Sequence, residues 1–142
     1  MYVVSACLLG ANCKYNGGNN DNEAVKDFCE GHKILAVCPE TAGGLKAPRP
    51  PAEQTGGKVI DREGRDVTES FRRGAEICLE KVLAAQAGGD TAELAILKAN
   101  SPSCGCGRIY DGTFTGTLTD GDGLFAGMLK EHGIKVITEN DL

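Results

Sequence analysis

Seven cysteines in a chain of 142 residues are the groups most able to do chemistry here. Three of them, Cys7, Cys38 and Cys104, each stand just beyond a short apolar run: Val3-Val4-Ser5-Ala6, Ile34-Leu35-Ala36-Val37 and Leu94–Ala99. The densest stretch is Asn100–Gly107, Asn-Ser-Pro-Ser-Cys-Gly-Cys-Gly. Pro102 has no N–H and biases Ser101 away from helix, so the strand before it must stop. Gly105 and Gly107 free the backbone to curl around Cys104 and Cys106. A loop of this kind gathers thiols and backbone N–H groups into one small volume, which suits a metal or an iron–sulfur cluster.

Spacing alone does not name the metal. Neither the paired Cys-x-x-Cys knuckles of structural zinc nor the close spacing of a ferredoxin cluster is present. Three thiolates would leave one coordination position open, as a catalytic metal requires. Cys29 and Cys78 fall on apolar helix faces, where cysteine behaves as a small hydrophobe. Cys13, in a polar loop, is open as a fourth ligand, a spare thiol or a solvent-exposed group. Cys106 is too close in sequence to Cys104 for both to hold one metal comfortably, and reads as an accessory thiol beside the site.

Other groups near these cysteines have chemical uses. Glu40 follows Cys38 by two residues and could serve as a general acid or base; its alternative is a solvated loop carboxylate. Ser101 and Ser103 offer hydroxyls, or merely satisfy their turn. Arg49, stiffened between Pro48 and Pro50, could clamp an anionic or polar substrate, or form a loop salt bridge. Lys98 interrupts an apolar run and is expected to reach the strand end. The stretch Tyr110–Phe114 is a candidate pocket wall. His32 and His132 end helices and read as surface groups.

The elements that must carry these residues follow from periodicity and turn chemistry. Tyr2–Ala6 reads as a buried strand. A helix over Asn22–Glu30 is capped from Asn20 or Asp21, with Glu23 completing a capping box and Val25, Phe28 and Cys29 forming its apolar face. Lys33–Val37 is the second strand. Cys38–Glu53, holding four of the five prolines, reads as an ordered irregular loop. A small hairpin spans Lys58–Val67 with its turn at Arg62–Arg65. Thr68 caps a long helix, Glu69–Gln86, whose buried stripe is Phe71, Ala75, Cys78 and Val82, with Leu79 and Leu83 beside it. A third strand at Leu94–Ala99, an Asp111-Gly112 hairpin, a helix at Leu124–His132 and a strand at Ile134–Thr138 complete the chain. This order predicts one three-layer α/β domain, Rossmann-like, with a mainly parallel sheet and small hairpin insertions. In such sheets the ligand crevice lies beyond the carboxyl ends of the strands, where Cys7, Cys38 and Cys104 would meet.

Composition narrows the function. A net charge of −5 with scattered Lys and Arg argues against a nucleic-acid partner. No apolar run is long enough for a membrane span. Met-Tyr-Val-Val lacks the basic n-region of a signal peptide, so a reducing, cytoplasmic setting is expected. There, an odd number of cysteines favours metal binding or catalysis over disulfides.

Several motifs in order carry a more specific signal. They are Ser5-Ala6-Cys7-Leu8-Leu9-Gly10, Cys13-Lys14-Tyr15-Asn16-Gly17, and Cys38-Pro39-Glu40 with Gly43-Gly44-Leu45 and Pro48-Arg49. Lys98-Ala99-Asn100-Ser101-Pro102-Ser103-Cys104-Gly105 and Ile109–Phe114 follow. The series resembles the thiouracil desulfurase family over nearly the full chain, although Lys14 and Asn16 stand where the family pattern carries arginine and aspartate. The resemblance implies a [4Fe–4S] cluster on Cys7, Cys38 and Cys104, with one iron free to bind a substrate's sulfur. It implies non-redox removal of sulfur from a small thiolated heterocycle such as 2-thiouracil, giving uracil and sulfide. Glu40 would be the proton-transfer carboxylate and Ser101 a hydroxyl that orients substrate or water. Two competing readings are a zinc- or sulfur-binding module without catalysis, which needs Cys13 or Cys106 as a further ligand, and a thiol redox protein using Cys104 and Cys106.

Overall fold

In the computed structural model, which describes Met1–Leu142, four parallel strands form the central sheet. They are β1 (Tyr2–Ser5), β2 (Ile34–Val37), β5 (Leu94–Leu97) and β8 (Val136–Thr138), in the order β2-β1-β5-β8. Because successive side chains alternate across a strand, Val3, Ala95 and Leu97 point to one face and Val4 and Ile96 to the other. The first face packs on α3 (Thr68–Ala87) through Ala75, Cys78 and Val82, and on α4 (Leu124–Glu131) through Phe125, Ala126 and Leu129. The second packs on α1 (Glu23–Cys29) through Val25 and Cys29. The three-layer α/β architecture is therefore present. No helix is long and apolar enough to cross a membrane.

The segment after Cys38 is more ordered than an irregular loop. Pro39 starts a four-residue helix, α2 (Pro39–Ala42), where its missing N–H is no loss. This helix lies hard against α3 because both contact residues are glycine. A Cβ on Gly74 would sit 1.7 Å from the Pro39 carbonyl oxygen, and one on Gly43 would sit 2.0 Å from that of Ser70. The first hairpin also differs from expectation. It joins β3 (Ala52–Thr55) to β4 (Lys58–Asp61) through Gly56-Gly57, both at positive φ. Asp66 makes only an isolated bridge to Ile60. The second hairpin pairs β6 (Arg108–Tyr110) with β7 (Leu118–Asp120), and residues 111–117 bridge them as a longer loop.

Two helix caps move. Asn22, not Asn20 or Asp21, caps α1 by accepting the Val25 N–H at 3.1 Å. Thr68 gives its hydroxyl to the Val59 N–H at 2.8 Å, so α3 starts without a side-chain cap. On α1 the Phe28 ring is 42 % exposed and stacks on Tyr2, while Leu83 of α3 is also exposed.

The N-terminus of α4 fixes the loop that carries Cys104. Gly123 supplies no side-chain cap. Instead the loop's carbonyls accept the free N–H groups: Pro102 takes that of Leu124 at 3.0 Å and Ser103 that of Phe125 at 2.9 Å, while Gly105 takes that of Gly123 at 2.7 Å. Gly123 must be glycine for this, since a Cβ there would fall 2.3 Å from the Ser103 carbonyl carbon.

Candidate functional site

Three parallel strands end at one edge, and the chain beyond each of them turns sharply. After β1, Cys7 sits in a 3₁₀ turn, Ala6–Leu9, closed by Gly10 at φ 96°. After β2, Cys38 caps α2. After β5, Asn100 adopts φ 71° and starts the loop that carries Ser101, Ser103 and Cys104. Asparagine tolerates this left-handed conformation better than most residues. The three turns open onto a cavity of about 450 Å³ lined by Cys7, Cys13, Cys38, Glu40, Arg49, Ser101, Ser103 and Cys104, among others.

The thiols differ electrically. Cys13 lies between Cys7 and Cys38 and its thiol hydrogen-bonds to both. That contact outweighs burial and lowers Cys7 to about 7 and Cys38 to about 6. The Asn20 amide supports Cys7, donating to its sulfur at 3.4 Å, and Thr41 supports Cys38 across 3.2 Å. As donor to two thiolates, Cys13 is itself pushed upward. Cys104 is fully enclosed, and burial raises its thiol to about 12 against the pull of Ser5 and Ser103.

Beside the thiols stands a chain of polar contacts. Arg49 donates to Glu40 Oε1 from Nε at 3.2 Å and from Nη2 at 3.0 Å. The same guanidinium reaches the Cys13 carbonyl at 2.9 Å and the Lys46 carbonyl at 3.3 Å. The Arg49 N–H donates to the Tyr15 carbonyl at 2.6 Å. Arg49 is thus engaged by the protein and is a tie between α2 and the Cys13–Tyr15 loop. Ser103 Oγ donates to Glu40 Oε2 at 2.9 Å. Ser101 Oγ accepts the Cys104 N–H at 2.8 Å and lies 3.5 Å from Ser103 Oγ.

The remaining expected residues sort cleanly. Cys106 does not line this cavity, so it is no accessory thiol of the site; its sulfur faces the Val136 carbonyl at 3.5 Å, at the margin of the core. Cys29 and Cys78 are buried in the two hydrophobic clusters. Lys98 reaches Glu139 at 2.8 Å beyond the strand end, and His32 and His132 are exposed. Asn20, Thr41, Ser5 and Glu53 line or support the site without having stood out in the sequence. Thr41 was the most accessible of them, since Cys-Pro-x-Thr reads as a helix start with a hydroxyl three residues after Cys38.

The donor set fits a soft, bulky group better than one ion. No three His, Cys, Asp or Glu side chains converge as a single bound ion requires. Four thiols, with no competing histidine, instead surround a cavity large enough for an iron–sulfur cluster and a small ligand.

A parallel α/β domain with thiols and an acid–hydroxyl pair at the carboxyl edge of its sheet is built as an enzyme. The chain belongs to the 2-thiouracil desulfurase family, whose model matches residues 2–141. It is 41 % identical over 152 residues to the uncharacterized protein YbbK of Bacillus subtilis (strain 168), covering 100 % of this chain and 97 % of that one. It is similar to the solved structure of the [4Fe–4S]-dependent thiouracil desulfidase TudS, with a TM-score of 0.88 and 43 % identity over 99 % of this chain and 91 % of the other.

Proposed function

We propose that this protein is an iron–sulfur-dependent desulfidase that converts a thiolated small heterocycle such as 2-thiouracil, with water, into uracil and sulfide. The observation that carries the reading is the convergence of Cys7, Cys38 and Cys104 with Glu40 on one cavity, in a chain 43 % identical to TudS. Cys7, Cys38 and Cys104 would hold a [4Fe–4S] cluster. When bound, such a cluster supplies a soft Lewis-acidic iron that matches a thione sulfur and draws electron density from it.

The chain's own groups handle the protons. Glu40 Oε2 faces the cavity through Ser103, so a water entering there can pass a proton to the carboxylate as it attacks the thione carbon. The proton then returns to the leaving sulfur. The carbon exchanges a bond to sulfur for one to oxygen, and no electron is gained or lost. Ser101 anchors its own loop through the Cys104 N–H and retains a hydroxyl proton to orient water or substrate. Arg49 fixes Glu40 and the lip of the cavity.

The test is iron and acid-labile sulfide per chain after anaerobic reconstitution, with desulfidation assayed in parallel. Cys7→Ala, Cys38→Ala and Cys104→Ala are expected to lose iron, while Cys106→Ala keeps it. Glu40→Gln should keep its iron and lose about 10²–10⁴-fold in kcat. Zinc in place of iron, or full iron retention without Cys104, would sink the reading.

A further inference from the structure

The loop 111–117 is held more firmly than its exposed position requires. Asp111 accepts from the Thr113 N–H at 3.0 Å and its hydroxyl at 2.6 Å, and Thr113, Thr115 and Thr117 follow as a chain of hydroxyl contacts at 2.6 and 2.8 Å. Gly112, at φ 96°, is pressed onto β3, where a Cβ would meet the Gln54 carbonyl oxygen at 2.8 Å. The deepest tie is Glu53. Its carboxylate is 8 % exposed, pairs with no cation, and accepts the N–H groups of Gly112 at 3.0 Å and Phe114 at 3.1 Å. Burying a carboxylate is costly unless its oxygens are satisfied, so β3 and this loop depend on each other.

What the loop presents is Phe114. Its backbone lies at φ 58°, a region that disfavours a bulky aromatic residue and costs on the order of 1–3 kcal/mol wherever it persists. Phe114 belongs to neither cluster of the hydrophobic core, so packing of the fold does not account for it. The ring lines the same 450 Å³ cavity as the thiols, and Arg62 stacks over it at 5.5 Å from the centroid. A rigidly held aromatic face, brought into a cavity by a strained backbone, suits a flat ring as its partner.

We infer that Phe114 is the face on which the planar heterocycle stacks, and that Glu53 is the residue that positions it. This rests on the desulfidase reading for the reaction, though stacking needs only the ring. Stacking is made equally in ground and transition states, so its loss raises KM and leaves kcat in place. Glu53 acts only through the loop.

The test combines turnover of 2-thiouracil with calorimetric binding of uracil. Phe114→Ala is expected to raise KM and weaken uracil binding roughly ten- to a hundredfold, with kcat within about threefold and iron content unchanged. Phe114→Tyr, which keeps the ring, should stay close to wild type. Glu53→Ala should weaken uracil binding, and Glu53→Ala/Phe114→Ala should be no weaker than Phe114→Ala alone, since removing the ring removes what Glu53 positions. Unchanged KM and uracil binding in Phe114→Ala would overturn the stacking role. Additive losses in the double variant would overturn the positioning role. Uracil binding by a wild-type protein that does not release sulfide would end the desulfidase reading, and the Phe114 comparison would still decide the inference.

Discussion

Arg49 and Glu40 face each other with two guanidinium nitrogens on one carboxylate oxygen, Oε1, which leaves Oε2 to Ser103. The side chains are 9 % and 19 % exposed, so the pair is largely withdrawn from water. This division lets one residue fix the carboxylate while its other oxygen remains turned to the hydroxyl and the cavity.

Arg49→Met strands that carboxylate, and a loss of about 3 kcal/mol is expected, with kcat falling at least about tenfold as Glu40 loses its fixed position. Arg49→Lys should fall between, because an ammonium offers a point charge and no planar fork. Arg108→Ala removes a pair whose Asp120 partner is 93 % exposed and should change stability by less than about 0.5 kcal/mol. Urea midpoints of the three variants decide this; equal losses at Arg49 and Arg108 would contradict it.

Gly74→Ala forces α2 away from α3, since the new methyl would overlap the Pro39 carbonyl. Overpacking here is expected to remove about 2 kcal/mol, roughly 6 °C in the thermal midpoint. It should also lower turnover, because Glu40 rides on α2. Gly88→Ala, where the nearest atom would be 3.5 Å away, is the control and should leave the midpoint within about 2 °C.

Asp61 supplies a pH dependence with a definite sign. Burial alone would raise its carboxyl, but the Arg65 N–H and guanidinium and the Glu63 N–H outweigh it and hold the group below its ordinary 3.8. The unfolded chain therefore binds this proton more tightly. The contribution is complete above 3.8 and is lost as acid titrates the folded state. Asp61→Asn should flatten the fall in stability between about pH 5 and pH 2, measured by urea midpoints across that range. An unchanged acid limb would show that Asp61 does not contribute to it.

The sheet and its site edge were readable because the three apolar runs before Cys7, Cys38 and Cys104 are short, bounded and β-rich. What escaped was set by tertiary use of polar groups. Asn20 looked like a cap for α1, yet its amide serves the Cys7 sulfur, and Asn22 caps instead. Thr68 looked like a cap for α3, yet its hydroxyl is taken by the strand at Val59. Ala-Glu-Gln-Thr carries little strand signal, and β3 exists because Glu53 finds amides in a distant loop and Gln54 Nε2 finds the Pro102 and Asp122 carbonyls at 2.9 and 3.0 Å. Arg49 stood out correctly as a residue held for a purpose. Only the fold reveals that its closest partner is Glu40.

The helix α4 begins on a glycine and borrows its cap from the carbonyls of Pro102, Ser103 and Gly105. The loop that presents Cys104 is thus also the stopper at the head of a core helix, and disorder on one side exposes bare N–H groups on the other. Filling or emptying the pocket will therefore be registered in the last quarter of the chain, where backbone amides at Leu124–Ala126 act as a built-in reporter of whether the thiol edge is in order.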